Sequence, residues 1–156
     1  MIIRPATEAD RARILEISEE LAKDGTPYYF DETTDPAQFW FGPDRELFVA
    51  EEEEVVGVYL LKANTPGRGS HVAYCGYAVD SAAQGRGIGK RMAEHSLEMA
   101  RERGFIAMQF NLVVSTNERA VRAWKSLGFQ IIGTLPKAFR HQSLGLVDAF
   151  VMHRFL

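Results

Sequence analysis

Three glycines alternate within a single short run of this chain, Gln84-Gly85-Arg86-Gly87-Ile88-Gly89. The run follows His71 to Val79, rich in aromatic and β-branched residues. It precedes an apolar stripe at helical spacing, Ile88, Met92, Ala93, Leu97 and Ala100, which Gly104 ends. Strand, glycine turn and helix in that order form a phosphate-binding device. The first N–H groups of a helix lack intrahelical acceptors, and the helix dipole adds roughly half a positive charge beside them. Glycine lets the backbone approach an anion with no Cβ in the way. Arg86, Lys90 and Arg91 add cations. The competing reading is a glycine turn that only lets the helix pack closely. The run is G-x-G-x-G, not G-x-G-x-x-G, and lacks G-K-[ST]. Neither the dinucleotide fingerprint nor the nucleoside-triphosphate loop therefore fits.

Other polar residues sit where apolar ones are expected. In the alternating stretch Ile106 to Val114, Ile106, Met108, Phe110, Leu112 and Val114 share one face, and Gln109 and Asn111 share the other. Amides on a central strand need partners. Asn111 either points into a cleft and orients a substrate, or is a satisfied buried amide. Asp148 interrupts the apolar stretch Val147 to Met152. It either binds an ammonium group or pairs with Arg140 or Arg154. His141, in the loop reading of Phe139-Arg140-His141-Gln142, is a base or a solvated histidine. His71 and His95 read as solvated, His95 on the polar side of its helix. Trp124 shares a helical face with Ala120, Val121 and Leu127, as a core aromatic would. Cys75 reads as a small buried hydrophobe, with no base to activate it as a nucleophile.

These groups need a scaffold of alternating elements. Ile2 to Arg4 reads as a first strand. Thr7 and Asp10 can cap a helix carrying Ile14, Leu15, Ile17, Ser18 and Leu21, with Gly25 as its stop. Leu47–Ala50 and Val55–Leu61 read as a hairpin turning at Glu51-Glu52-Glu53-Glu54, a solvated acidic turn. Pro66 to Ser70 is a loop. A short helix begins near Ser115, with Ser115 and Glu118 as its capping box, and ends at Gly128. Phe129–Thr134 and Val147–Phe155 are the last strands.

The composition limits the classes. The 156 residues fit one domain, and 46% hydrophobic with 25% charged residues is an ordinary globular mix. A net charge of −3 gives no basic field for nucleic acid. The single cysteine excludes an intrachain disulfide, and no zinc spacing is present. No apolar run is long enough to span a membrane. The start carries Arg4 and no apolar signal core. The expectation is a cytoplasmic protein without nucleic-acid or membrane partners.

The glycine run resembles the Q/R-x-x-G-x-G/A signature of the GNAT superfamily of N-acetyltransferases. Asn117-Glu118-Arg119-Ala120, followed by Trp124-Lys125-Ser126-Leu127-Gly128-Phe129, resembles that superfamily's N-x-x-A…Y-x-x-x-G-F segment, with Trp124 in the tyrosine position. Ile3 to Asp10 is similar to its first strand and helix. Pro136 to His141, with Gly145, Val147, Asp148, Val151 and Met152, resembles members acting on small amines, amino acids or their analogues. The likeness covers nearly the whole chain. It implies one domain over residues 1–156, of mixed α/β (α+β) class, with a splayed sheet of about seven strands flanked by about four helices.

The resemblance also implies direct transfer of acetyl from acetyl-CoA to an amine. A small amino-acid-like acceptor is expected first, with a peptide N-terminus or lysine as the alternative. A domain that binds acyl-CoA without turning it over is a different class and stays open. By resemblance, Tyr77 and Val79 offer backbone groups to the pantetheine amides. Gln84 opens the cradle, and Gly85, Arg86, Gly87, Ile88, Gly89 and Lys90 hold the pyrophosphate. Asn117 reaches the pantetheine arm and Lys125 the nucleotide phosphate. The functional reading of their own positions, not the resemblance, gives Asn111 and Asp148 to the acceptor. The family tyrosine protonates the leaving thiolate. An indole N–H at Trp124 can only donate a hydrogen bond, although a thiol of pKa about 8.5 leaves without strong help. The aromatic segment 28–41 is either an acceptor lid or packing, and a homodimer is expected by analogy.

Overall fold

The computed structural model describes residues 1–23, 31 and 33–156. The expected helix stop at Gly25, and Tyr28, Tyr29 and Phe30 of the aromatic segment, lie outside the described residues. The strands are β1 (Ile2–Pro5), β2 (Arg45–Glu51), β3 (Val55–Ala63), β4 (Val72–Val79), β5 (Ala107–Val114), β6 (Gln130–His141) and β7 (Gly145–Phe155). The helices are α1 (Arg11–Lys23), α2 (Pro36–Trp40), α3 (Ile88–Glu102) and α4 (Glu118–Ser126). Among the described residues the strands form one seven-stranded sheet in the order β1-β2-β3-β4-β5-β7-β6. This is the expected mixed fold.

The sheet buries a different core on each face. Met92, Leu97 and Ala100 of α3 pack with Tyr59, Leu61, Met108 and Phe110 on one side. On the other, Ile14, Ile17 and Leu21 of α1 and Trp40 of α2 pack with Val49, Val58 and Leu60. Two features of the sequence fix α2. Asp35 caps it by accepting from the Ala37 N–H at 2.9 Å, and Pro36 occupies its first turn. The Trp40 indole donates to Ser18 Oγ at 2.7 Å, and Ser18 donates to Ile14 O at 2.9 Å. A polar tip on a fully buried ring is thus satisfied inside the core.

At the start of α1 the expected Thr7–Asp10 pair forms. The Asp10 carboxylate accepts from the Thr7 N–H at 2.7 Å. Arg4 links it to β2, donating to Asp10 at 2.8 and 2.9 Å and to Glu51 at 2.8 and 2.9 Å. These charge-assisted bonds hold both carboxyls below their usual range. The acidic turn is therefore more than solvated charge, because Glu51 is tied to Arg4 and Glu52 to Arg86.

Three sequence expectations need correction. The cap of α4 is Asn117 and not Ser115; Asn117 Oδ1 accepts from the Ala120 N–H at 3.1 Å. Beyond Phe110 the alternation of β5 fails, because the register against β7 shifts between Phe110 and Val113. The extra residue turns Val113, rather than Leu112, toward the α3-side core. The strand expected to end at Thr134 continues, and Phe139–His141, read as loop, are strand. β6 runs to His141 with a register shift between Leu135 and Phe139.

His95 is the fourth departure. It lies against the core, not in solvent. Its Nδ1 is hydrogen-bonded to the Tyr59 hydroxyl at 2.7 Å, and its ring meets Phe48 at 5.5 Å. Burial lowers its pKa, while Glu98 and Glu102 on its own helix pull the other way. The unfolded chain therefore binds a proton that the folded one resists. Stability from this site is complete above about pH 6.5 and is lost as pH falls below it. His95→Gln should narrow the difference in melting temperature between about pH 7.5 and about pH 5.5. A gap of unchanged size would remove His95 as its source.

Candidate active site

Strands β4 and β5 run parallel but pair only at Val72–Ala107 and Ala73–Met108. Beyond those rungs they diverge, as the splayed-sheet expectation requires. Hydrogen-bond direction alternates along a strand. The Asp80 N–H donates to Val56 O at 3.0 Å, and Val72 O accepts from the Asn64 N–H at 2.8 Å. Even-numbered residues of β4 therefore turn their backbone groups toward β3. Cys75, Tyr77 and Val79 turn theirs toward β5, into the opening. Both residues expected at the pantetheine thus have suitably directed backbone.

The glycine run lies directly beyond β4. Asp80 caps a 3-10 turn, Ser81–Ala83, by accepting from the Ala82 N–H at 2.8 Å. Arg13 of α1 pairs with the same carboxylate and donates to Val55 O at 3.2 Å. Gly85 and Gly87 then adopt φ of 81° and 80°, and Gly87 caps α3. Left-handed backbone of this kind favours glycine strongly. An added Cβ at either position meets nothing within 4 Å, so conformation and not crowding requires glycine. The Arg91 N–H donates to Gly87 O at 3.1 Å, the first bond of the helix. The N–H groups from Gly85 to Lys90 have no acceptor among the described residues.

The nearby cations are partly engaged. Arg86 pairs with Glu52 at 2.5 Å and Lys90 with Glu94 at 3.8 Å, while Arg91 reaches Met1 O at 3.4 Å. Exposed pairs of this kind contribute about 0–1 kcal/mol. An incoming polyanion can exchange for them at little cost. Gln84 is exposed at the entry to the turn, and Lys125 is exposed on α4.

A cavity of about 160 Å³ occupies the divergence, and Tyr77, Asn111, Asn117 and Trp124 all line it. On the α3 side, Trp124 packs with Phe110 at 4.5 Å and Tyr77 at 5.2 Å between ring centroids. The Tyr77 hydroxyl lies 2.7 Å from Ser96 Oγ, and burial raises its pKa far above the ordinary phenol value. It stays protonated near neutral pH. Burial likewise pushes the Cys75 thiol up to about 12, so it stays a protonated wall. On the α1–α2 side, Phe39 and Tyr74 close the cavity, while Trp40 beside Phe39 is core. The aromatic segment therefore divides between wall and packing.

Asn111 is a satisfied amide at the cavity wall. It lines the cavity, and its amide is also paired: Gln109 Nε2 donates to Oδ1 at 3.0 Å, and Nδ2 donates to Asn64 Oδ1 at 2.7 Å. Asp148 stands apart from the cavity residues. Its carboxylate accepts from the Lys137 N–H at 2.9 Å, where Lys137 is held at φ 52° inside the β6 irregularity. Neither Arg140 nor Arg154 pairs with it among the described residues; Arg154 bonds Leu127 O instead. His141 Nδ1 accepts from the N–H groups of Ser143 and Leu144 at 3.1 and 3.2 Å. It organises the β6–β7 turn rather than facing the cavity. Among the described residues no carboxylate, imidazole, ammonium or guanidinium lines the cavity. Sequence reasoning missed Arg13, Asp80 and Asn64. Of these only Asp80 leaves a local signal, an aspartate capping the turn after a strand.

The acetyltransferase (GNAT) family model matches residues 14–129. The L-amino acid N-acetyltransferase AaaT of Escherichia coli is 30% identical over 111 residues, 70% of this chain and 67% of that protein. The structure of a GCN5-related N-acetyltransferase from Kribbella flavida is similar with a TM-score of 0.92 and 39% identity, covering 99% of this chain and 97% of that one. A ribosomal-protein-alanine N-acetyltransferase from Brucella melitensis gives a TM-score of 0.86 at 28% identity, covering 100% of both chains. The chain spans about half the length, or less, of two further curated relatives, 47% of one and 14% of the other.

One wall of the cavity depends on a missing methyl group. A Cβ at Gly76 would lie 2.6 Å from Phe39 Cζ, so Phe39 reaches the sheet only because Gly76 has no side chain. Gly76→Ala should destabilise by about 1–3 kcal/mol through overpacking. Adding Phe39→Leu should recover part of that loss, giving a non-additive double-mutant cycle in chemical denaturation. Additive effects would show that the two residues do not share this space.

Proposed function

Because this chain belongs to the acetyltransferase (GNAT) family, we propose that it moves acetyl from acetyl-CoA directly to the amino group of a small molecule, an amino acid or an analogue of one. The observation that carries the reading is the row of N–H groups from Gly85 to Lys90, without an acceptor among the described residues, at the head of α3 beside the opening of the sheet. They suit a diphosphate because they are donors already aligned by the backbone, reinforced by the helix dipole. Acetyl-CoA supplies the acetyl group as an activated thioester.

In this reading Gln84 to Lys90 hold the pyrophosphate, and Cys75, Tyr77 and Val79 direct backbone groups to the pantetheine. Asn117 keeps its Oδ1 on the α4 cap, so its amide N–H is the part offered to the arm. Lys125 meets the nucleotide phosphate. The indole N–H of Trp124 serves as a donor in place of an acid. Asn111 orients the acceptor or the acetyl carbonyl, whose oxygen gains charge during transfer. One well-aimed donor there contributes about 3 kcal/mol to the barrier. Asp148 supports the β6 irregularity near the acceptor side and does not contact the ammonium. The amine loses its proton to water, before or after attack.

The likeness to AaaT, which is named for L-amino acids, supports a small acceptor. A peptide N-terminus is the second reading, favoured by the full-length likeness to a protein named for ribosomal-protein alanine.

The test is release of free thiol from acetyl-CoA in the presence of amino acids, other small amines and short peptides. A small amine should give turnover, and peptides little. Turnover with peptides alone would overturn the small-molecule reading, and thermal stabilisation by acetyl-CoA with no thiol release would favour a binder. Gly87→Val forces a branched side chain into a φ near 80°. It should weaken coenzyme A binding at least roughly tenfold by calorimetry, and undiminished affinity would contradict the cradle.

A further inference from the structure

The Gln109–Asn111–Asn64 chain of amides spans the base of the opening, and one of its ends lies in a segment that reads as loop. Asn64 directly follows β3, and its N–H donates to Val72 O at 2.8 Å. That fixes it beside the last β4–β5 rungs, Val72–Ala107 and Ala73–Met108. Its side chain then accepts from Asn111 Nδ2 at 2.7 Å. The contact joins the residue after β3 to β5, and these two strands are not neighbours in the sheet. It lands on the strand segment where the β5 register shifts, between Phe110 and Val113.

The direction of the chain matters. A primary amide can turn over, exchanging its oxygen for its nitrogen. Asn64 presents Oδ1 to Asn111, so Asn111 turns Nδ2 toward Asn64 and Oδ1 toward Gln109 Nε2, and only a reversal of all three amides together would keep both bonds. One Asn111 N–H and one Oδ1 lone pair then remain for the cavity that Asn111 lines. We propose that Asn64 is a positioning residue, which through its hydrogen bond sets the orientation in which Asn111 presents its amide to the acceptor or the acetyl carbonyl. The catalytic part of this inference rests on the acetyl-transfer reading above. Asn64 itself does not line the cavity.

Two substitutions separate orientation from packing. Asn64→Asp keeps an acceptor for Asn111 Nδ2, and Asn64→Leu removes it at similar volume. With the amine that wild type uses best, Asn64→Leu should lose roughly tenfold in kcat/KM for the acceptor, the size expected when one positioned hydrogen bond is lost. Its KM for acetyl-CoA should be unchanged. Asn64→Asp should stay within about threefold of wild type. Side-chain amide NMR signals supply a readout independent of turnover. The Asn111 NH₂ pair should shift in Asn64→Leu and stay near its wild-type position in Asn64→Asp. Equal losses in both variants tracking their melting temperatures, or an Asn64→Leu enzyme as active as wild type, would overturn the positioning role. If wild type acetylates no amine, the transfer reading fails on its own. The orientation claim then stands or falls on whether the Asn111 signals move in Asn64→Leu.

Discussion

A parallel pair of strands that stops pairing leaves backbone groups facing a gap. Here β4 and β5 share only the rungs at Val72 and Ala73, and everything of functional interest follows from that short ladder. Had pairing continued to Val79, Cys75, Tyr77 and Val79 would have directed their backbone into a closed sheet, with no opening between the cores. Divergence is tolerated because each side is held independently. β4 pairs along its length with β3, and β5 with β7. α3 packs across β3 and β4, and Trp124 and Val121 of α4 pack against Phe110.

The glycine turn extends the same principle. It lies where β4 ends, so the strand that supplies one row of backbone groups also delivers the head of α3. Asp80 joins the two by capping the intervening turn, and Arg13 anchors Asp80 to α1 and to Val55. The cations expected beside the cradle, Arg86 and Lys90, have carboxylate partners in Glu52 and Glu94. The fixed part of the field is backbone, oriented before a ligand arrives.

The features legible in the sequence were those encoded locally. Alternating glycines before an apolar stripe, the Thr7–Asp10 pair and the Gly128 stop of α4 each depend on residues within a turn of one another. Gly128 closes α4 with the Phe129 N–H on Trp124 O at 3.1 Å. Features that depend on distant strands were not legible. The β5 irregularity falls between Phe110 and Val113, and the residues after Asn111, Leu112-Val113-Val114, are all apolar, so their pattern does not mark the slip. From sequence, β6 is expected to stop at Thr134 because its continuation depends on β7, where Asp148 accepts from the Lys137 N–H. Asn64 sits before Thr65-Pro66-Gly67 and looks like a turn. Only the fold brings it to Asn111. His95 looked solvated because Tyr59 and Phe48, which cover it, lie on other strands.

The account's central claim is that the backbone N–H groups from Gly85 to Lys90 receive a diphosphate. It is tested most directly by following those amides in ¹H–¹⁵N NMR while adding coenzyme A, and separately 4′-phosphopantetheine, which lacks the diphosphate. Downfield movement of the Gly85 to Lys90 signals with coenzyme A, and little with the shorter compound, is the predicted result. Amides that stay in place at saturating coenzyme A would contradict it.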